Sequence, residues 1–218
     1  MKPVPQLVVF DWDGTLSDSS ARIVTCFRRA LDAVGVAKPV DDQTIRETIG
    51  LELADAAAVM MPSDDTERRL AMTQAYRDFW LAPGAPRANL FSDARTCLQA
   101  FADRGVTLAV ATGKSRRGLD RELGETGIRG MFEATRTADE TRGKPHPQML
   151  NELLDHLDVP RERALMVGDT TFDLEMANAA GVRAVAIASG THSLERLQTA
   201  SPMACLANIG ELVGLLLG

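Results

Sequence analysis

Four short segments of this sequence carry side chains that could bind a metal ion or a phosphate group. Each lies just after an apolar run or at a predicted helix start: Asp11-Trp12-Asp13-Gly14-Thr15, Thr112-Gly113-Lys114, Lys144-Pro145-His146-Pro147 and Gly168-Asp169-Thr170-Thr171-Phe172-Asp173. Clustered carboxylates repel one another unless a cation lies among them, and oxygen ligands suit Mg²⁺. One carboxylate can attack phosphorus while a second transfers protons. These residue types therefore indicate phosphoryl transfer.

The apolar runs before these segments are typical of strands that are buried on both faces. Four such runs lie at Leu7–Phe10, 106–111, 164–167 and 184–188. Between them we predict helices from an N-cap at Ser92 to Gly105, from Pro147 to near Pro160, and from Thr171 to Ala180 before Gly181. Strands that alternate with helices predict an α/β fold, a doubly wound parallel sheet.

Ligands of such sheets bind beyond the carboxyl ends of the strands. If the strands form as predicted, Asp11, Asp13, Thr112 and Asp169 converge at that edge. Lys144 is the cation placed to join them, and its ammonium group and the Thr112 hydroxyl could hold phosphate oxygens.

Residues 17–86 interrupt the alternation. Ile23, Phe27 and Leu31 are spaced as on one helical face, as are Ile45 and Ile49, and Asp64-Asp65-Thr66 precedes a segment with Met72, Tyr76, Phe79 and Trp80. The stretch has no convincing strand, and a crossover needs only about a dozen residues. We therefore predict a core at 1–16 and 87–218 with a helical subdomain inserted at 17–86, which returns through Pro83-Gly84-Ala85-Pro86.

The composition narrows the class of partner. The chain has 218 residues, 45% of them hydrophobic, and a formal charge of −6. Because nucleic acids and anionic membranes bind cationic surfaces, we expect neither as a partner. The three cysteines, Cys26, Cys97 and Cys205, form no metal-binding spacing and are expected to be reduced. No signal-like or membrane-spanning run occurs, so we expect a cytoplasmic protein, a monomer or alternatively a dimer.

The four segments together resemble the motif set of the haloacid dehalogenase-like superfamily. The residues that carry the resemblance are Phe10 to Leu16, Thr112, Lys144-Pro145, and Gly168-Asp169-Thr170 with Asp173. More narrowly, the chain is similar to the phosphoglycolate phosphatase-like branch, whose helical cap follows the first motif. The resemblance covers nearly the whole chain and implies a Rossmann-like core and a Mg²⁺ cofactor.

The resemblance also implies a role for each motif residue. Asp11 would be the nucleophile and a metal ligand, and Asp13 the general acid and base, with its backbone carbonyl on the metal. Thr112, Gly113 and Lys144 would bind phosphate, and Asp169 would be the second carboxylate on Mg²⁺. Asp173 would support the metal shell, although an acidic residue in a first helical turn could instead complement the helix dipole.

Several other residues keep two interpretations. Arg22 and Arg46 of the helical insertion could hold a second anionic group of the substrate or could face water. Gly50 lies in Ile49-Gly50-Leu51, which resembles the cap loop that meets substrate, but it could equally end a helix. Lys114 is expected at the surface of a helix start, because Leu108 stands where a P-loop requires glycine.

The function implied is hydrolysis of a small phosphorylated metabolite, a phosphate monoester, through an aspartyl-phosphate. Asp13 argues against a halide-releasing enzyme, because family dehalogenases lack this second acid. A β-phosphoglucomutase-like phosphomutase and a pyrophosphatase remain alternatives, because a mutase would share the core motifs. A binding module without turnover is disfavoured by the intact Asp11.

Overall fold

Six parallel strands form the centre of the molecule. The computed structural model describes residues 4–36, 39–62 and 66–218. The strands are β1 (Leu7–Phe10), β2 (Thr107–Thr112), β3 (Ala134–Thr137), β4 (Ala164–Gly168), β5 (Arg183–Ile187) and β6 (Ala204–Leu206). Their order in the sheet is β3-β2-β1-β4-β5-β6. The predicted doubly wound parallel sheet and its four apolar strands are confirmed, whereas the edge strands β3 and β6 are additions.

Ten helices accompany the sheet in the described part of the chain. They are α1 (Ser20–Ala33), α2 (Asp42–Glu47), α3 (Leu53–Met60), α4 (Thr66–Leu81), α5 (Ala94–Ala102), α6 (Arg116–Thr126), α7 (Gln148–Leu157), α8 (Thr171–Ala180), α9 (Leu194–Thr199) and α10 (Glu211–Leu216). The three helices predicted for the core are present as α5, α7 and α8. The predicted N-cap at Ser92 is wrong, because Asp93 occupies that position and caps without a side-chain hydrogen bond.

Strand β1 shows why the strands are apolar on both faces. Val8 and Phe10 pack into one hydrophobic cluster with α5, while Leu7 and Val9 pack into another with α7 and α8. Successive side chains of a strand point to opposite faces, so a sheet covered by helices on both sides requires apolar residues throughout. The fully buried pattern of β1 follows from this position at the centre.

Helices α1 to α4 lie between β1 and α5 in sequence and have a hydrophobic cluster of their own. Its buried members include Phe27, Ile45, Met72 and Trp80, and all of them come from residues 23–80. The aspartates Asp64 and Asp65 lie outside the described residues. None of the helices within the described ranges has the length and apolar character needed to cross a membrane.

The chain leaves the sheet and returns to it at adjacent points. Ser17 forms isolated β-bridges with both Asp13 and Leu90. The backbone N–H of Asp18 donates to the carbonyl of Asn89 at 2.9 Å. The two connections to α1–α4 therefore run side by side.

Candidate active site

The predicted site residues meet at the carboxyl ends of the central strands. Asp11 directly follows β1, Thr112 ends β2 and Asp169 follows β4. Asp11, Asp13 and Thr112 line a cavity between this edge of the sheet and helices α1–α4. The convergence follows from the parallel pairing of β1 with both β2 and β4.

Three carboxylates and one ammonium group form the buried floor of the site. One carboxylate oxygen from each of Asp11, Asp169 and Asp173 lies within 4.8 Å of the others. The Nζ of Lys144 contacts Asp11 Oδ1 at 2.5 Å and Asp173 Oδ1 at 2.6 Å. All four side chains are almost fully excluded from solvent.

Burial and mutual repulsion perturb the acidity of these groups. Burial raises the pKa of Asp11 well above its ordinary value, the charge of Lys144 opposes this, and Asp173 and Asp169 add to it. Burial, followed by the charge of Asp173, raises the pKa of Asp169 to about 7. For Lys144, burial acts to lower the pKa, but Asp11 and Asp173 outweigh it and raise the pKa. The floor therefore carries more negative charge than one lysine stabilises.

Asp169 is held in place by the loops on either side of it. Its Oδ1 accepts a hydrogen bond from Thr15 Oγ1 at 2.8 Å, and its Oδ2 accepts one from the backbone N–H of Thr191 at 2.7 Å. Gly14 has a φ of +87°, and a Cβ there would collide with the Asp169 carboxylate. Glycine at position 14 thus satisfies both the backbone conformation and the close approach.

Asp173 both caps the start of α8 and belongs to the carboxylate cluster, so the two roles that the sequence leaves open occur together. Its Oδ2 accepts hydrogen bonds from the backbone N–H of Thr170 at 3.1 Å and from Thr170 Oγ1 at 2.7 Å. This forms a capping box at the start of α8. Its Oδ1 meanwhile binds Lys144 and faces the carboxylate cluster.

The donor set fits a hard divalent cation. Asp11 Oδ2 is buried and has no hydrogen-bond partner among the described residues. It belongs to a side chain of the cluster in which oxygen ligands from Asp11, Asp169 and Asp173 converge. Buried carboxylates are normally paired with a cation or hydrogen-bonded, and an all-oxygen set suits Mg²⁺.

Asp13 lies apart from that cluster, on the side of the cavity towards α1. Its Oδ1 accepts a hydrogen bond from Ser19 Oγ at 2.5 Å. Lys114 Nζ donates to Asp13 Oδ1 at 2.8 Å and to Oδ2 at 2.9 Å. Asp13 is therefore oriented by one hydroxyl and one ammonium group.

Lys114 is not the surface residue that the sequence predicts. Its side chain is 7% exposed, and Nζ lies 3.4 Å from Glu122 Oε1 and 4.1 Å from the centre of the Trp80 ring. The nearby charges of Asp13 and Glu122 raise the pKa of Lys114 against the opposing effect of burial, so it stays charged. Two carboxylates and an aromatic face provide what a buried ammonium group requires.

Glu122 is a site residue that the sequence analysis misses. It is fully buried on α6, where its Oε2 accepts a hydrogen bond from Trp12 Nε1 at 2.5 Å. Burial raises the pKa of Glu122, while Lys114 acts to lower it. The spacing of Glu122 along α6 could have revealed it, because Glu122 shares a helical face with the buried Leu119. A charged residue on a buried face needs a partner.

Thr112 and Gly113 lie where the end of β2 meets the loop between α2 and α3. Thr112 is fully buried, and its Oγ1 accepts a hydrogen bond from the backbone N–H of Lys114 at 3.2 Å. A Cβ on Gly113 would lie 2.7 Å from the carbonyl oxygens of both Gly50 and Leu51. Only glycine at position 113 therefore allows the loop of Gly50 and Leu51 to lie so close to the end of β2.

The three predicted substrate residues of the insertion are placed differently from one another. Gly50 lines the cavity, with a φ of +98°. Arg22 and Arg46 do not line it. Arg22 instead lies over the Trp80 ring at 3.8 Å, donates to the Trp80 carbonyl at 3.0 Å and lies 3.6 Å from Glu122.

Comparison with known proteins agrees with this geometry. The model of the haloacid dehalogenase-like hydrolase family matches residues 8–187. The chain belongs to the haloacid dehalogenase-like hydrolase family. It is 35% identical over 98% of its length to "Probable phosphatase IndB" of Dickeya dadantii, covering 93% of that protein. It is 32% identical to the phosphoglycolate phosphatase of Rhodospirillum rubrum, covering 97% of this chain and 92% of that one.

A solved structure confirms the fold. A haloacid dehalogenase-like hydrolase from Bacteroides fragilis matches with a TM-score of 0.88 and 28% identity, covering 95% of this chain and 99% of the other. The predicted superfamily and its phosphoglycolate phosphatase-like branch are thereby confirmed. The chain is a phosphatase of this haloacid dehalogenase-like type.

Proposed function

We propose that this phosphatase is Mg²⁺-dependent and hydrolyses a small phosphate monoester, a phosphorylated metabolite, through an aspartyl-phosphate on Asp11. The observation that carries the proposal is the Asp11 carboxylate. One oxygen is fixed by Lys144, while the other is buried with no hydrogen-bond partner in the described part of the chain, on a side chain that lines the cavity. An oriented carboxylate with an unpaired oxygen has the arrangement that a nucleophile requires.

Two steps account for hydrolysis. In the first, a carboxylate oxygen of Asp11 forms a bond to phosphorus as the bond to the alcohol oxygen breaks, and Asp13 gives its proton to that oxygen. In the second, water attacks the phosphorus of the acyl phosphate, Asp13 takes a proton from the water, and Asp11 is released with inorganic phosphate. Proton transfer by a positioned carboxyl group supports both steps.

The phosphate group would be held by Thr112, Gly113 and Lys144. Thr112 and Gly113 line the cavity beside Asp11 and supply a hydroxyl and a backbone N–H. Lys144 brings a positive charge to the floor next to Asp11. Donors fixed where negative charge develops stabilise phosphoryl transfer.

The metal would be held by Asp11, Asp169 and the backbone carbonyl of Asp13, with Asp173 supporting the set. Bound Mg²⁺ supplies neutralisation of charge at the carboxylates and at the phosphate oxygens. Burial raises the pKa of both Asp11 and Asp169, and neighbouring carboxylates add to it, so a bound cation would favour the charged form of both groups.

We assign residues 17–86 as the cap, inserted into a core of residues 1–16 and 87–218. Support comes from the separate hydrophobic cluster of α1–α4 and from the adjacent crossings at Ser17 and Leu90. The cap would close the cavity and exclude bulk water from the acyl phosphate.

The test is phosphate release from a panel of monoesters, measured for the wild type and for Asp11→Asn, with Mg²⁺ and with EDTA. Asp11→Asn should lower kcat by at least about a thousandfold while the protein stays folded, because the amide lacks the nucleophilic charge. Asp155→Asn, on the exposed face of α7, is the matched control and should be unaffected. A variant that keeps a tenth of wild-type kcat, or release that is insensitive to EDTA, would contradict the proposal.

A further inference from the structure

The cavity has two chemically different ends. Its volume is about 860 Å³, including space open to solvent, and the carboxylates of Asp11 and Asp13 lie at one end. Helices α1 and α4 and the loop at Gly50 form the other end. Because a phosphate bound at Asp11 leaves its alcohol part pointing towards this second end, these side chains contact whatever the phosphate is attached to.

The second end is built largely from aromatic and aliphatic side chains. Tyr76 packs on Phe27 with ring centroids 4.3 Å apart and stacks on Trp80 at 5.8 Å with an interplanar angle of 15°. We call Phe27, Tyr76 and Trp80 the aromatic wall. Ile49 and Leu51 continue this surface on the neighbouring loop.

Part of this apolar surface stays open to the cavity. Tyr76 and Leu51 are only partly buried, and both line the cavity. Tyr76 also packs against the hydrophobic cluster of the cap. Apolar area that remains open next to a reactive carboxylate is stabilised when a ligand covers it.

The charges around the cavity disfavour a second anionic group on the substrate. Among the described lining residues the cations are Lys114 and Arg77, against the four carboxylates of Asp11, Asp13, Glu52 and Asp139. Lys114 is already paired with Asp13 and Glu122. Arg77 is exposed and lines the cavity together with Glu52. Burial and the charge of Asp55 raise the pKa of Glu52, although Arg77 acts to lower it.

From this geometry we infer that the preferred substrate is a phosphate monoester with an uncharged, apolar and preferably planar alcohol part that packs against the partly exposed side chains of Tyr76 and Leu51. Tyr76 is then a specificity-determining residue. The inference rests on the proposed function, because it requires the phosphate to bind at Asp11. It predicts discrimination against small dianionic esters such as phosphoglycolate.

Three substrates separate this inference from the chemistry of hydrolysis. Benzyl phosphate, 2-phosphoglycolate and methyl phosphate all release alkoxide-type leaving groups, so differences in kcat/KM report contacts with the alcohol part. The wild type should prefer benzyl phosphate over each of the other two by about tenfold or more, in line with the effect of apolar groups in enzyme pockets. A preference for phosphoglycolate would overturn the inference and leave the proposed function intact.

Variants of Tyr76 distinguish a substrate contact from a structural role. Tyr76→Leu should lower kcat/KM for benzyl phosphate about tenfold more than it lowers kcat/KM for methyl phosphate, and Tyr76→Phe should restore benzyl phosphate hydrolysis. Leu70→Ala, at an exposed position of the same helix, is the control and should change neither substrate. Equal losses for benzyl and methyl phosphate in Tyr76→Leu would overturn the inference.

A gain of function and a binding measurement complete the test. Leu51→Arg adds a cation to the apolar end and should raise kcat/KM for phosphoglycolate relative to benzyl phosphate. If the folded wild type hydrolyses none of the esters, the proposed function fails. Calorimetry with benzyl phosphate and phosphoglycolate then decides the inference separately, and it is overturned if benzyl phosphate binds no more tightly.

Discussion

The two ends of the cavity are stabilised in opposite ways. At the sheet edge, Lys144 binds the buried carboxylates of Asp11 and Asp173 at 2.5 and 2.6 Å. At the other end, the partly buried side chains of Tyr76 and Leu51 line the cavity and carry no charge. Every phosphate ester carries the phosphate group that the charged end would bind. Only contacts at the apolar end could therefore distinguish one ester from another. Under the proposed function, reactivity would belong to the core and selectivity to residues 17–86.

The largest effect is expected from breaking the charged end. Lys144→Met removes the cation between Asp11 and Asp173 and leaves their carboxylates buried together. We expect the free energy of unfolding to fall by about 3–5 kcal/mol, because an uncompensated buried charge is strongly destabilising. Urea denaturation measures this change, and Mg²⁺ should restore part of the loss because it binds the folded state.

Arg142→Met serves as the control for Lys144, since Arg142 is an exposed cation two residues away. It should leave the stability within about 0.5 kcal/mol of wild type. If Lys144→Met is no less stable than this control, the ammonium group does not stabilise the carboxylate cluster.

A smaller effect is expected at the junction of the two ends, where Lys114 lies between Asp13 and the aromatic wall. Lys114→Met removes the two hydrogen bonds that Lys114 donates to the Asp13 carboxylate. We expect kcat to fall about 10- to 100-fold with KM nearly unchanged, because a misplaced acid and base slows proton transfer. Steady-state kinetics measure the two constants.

Arg117→Met, at an exposed position in the first turn of α6, is the matched control for Lys114. Unchanged kcat in Lys114→Met would show that Ser19 alone suffices to orient Asp13. A rise confined to KM would instead make Lys114 a substrate-binding residue.

The smallest effect is expected from the contact between Gly113 and the loop of Gly50 and Leu51. Gly113→Ala places a methyl group 2.7 Å from two carbonyl oxygens of the cap loop, so the loop has to move away. We expect kcat/KM to fall about 5- to 20-fold, because the positions of groups on both sides of the cavity change together.

Gly124→Ala provides the comparison for Gly113. Gly124 lies in the interior of α6 and has open space around its Cα. The substitution should stabilise the protein by up to about 1 kcal/mol, through helix propensity, and leave kcat/KM unaltered. If Gly113→Ala and Gly124→Ala had equal kcat/KM, catalysis would not depend on the close approach of the Gly50 loop to β2.

The sequence predicts the central strands well because their signal is local. The apolar run of β1 is fully buried as expected. Strand β3 escapes prediction because Thr135, Arg136 and Thr137 are polar and the strand pairs only along one edge. Strand β6 has three residues, which is too short for a periodic pattern.

The site shows the same division between local and distant signals. Asp11, Thr112, Lys144 and Asp169 follow apolar runs or mark a helix start, so their convergence follows from the sheet. The burial of Lys114 depends on Asp13, which lies 101 residues away, and on a tryptophan of the cap. Such contacts cannot be derived from spacing along the chain, because only the assembled cap and core create them.

The adjacent bridges of Ser17 with Asp13 and Leu90 have a consequence for the evolution of this chain. The helical segment begins and ends at neighbouring backbone positions, so a segment of another length or fold could be spliced there without disturbing the order of the strands. Insertion is tolerated where the two ends of the inserted piece already lie close together. Under the proposed function, residues 17–86, which would recognise the alcohol, can therefore diverge at a different rate from the catalytic core and be recombined as a separate module.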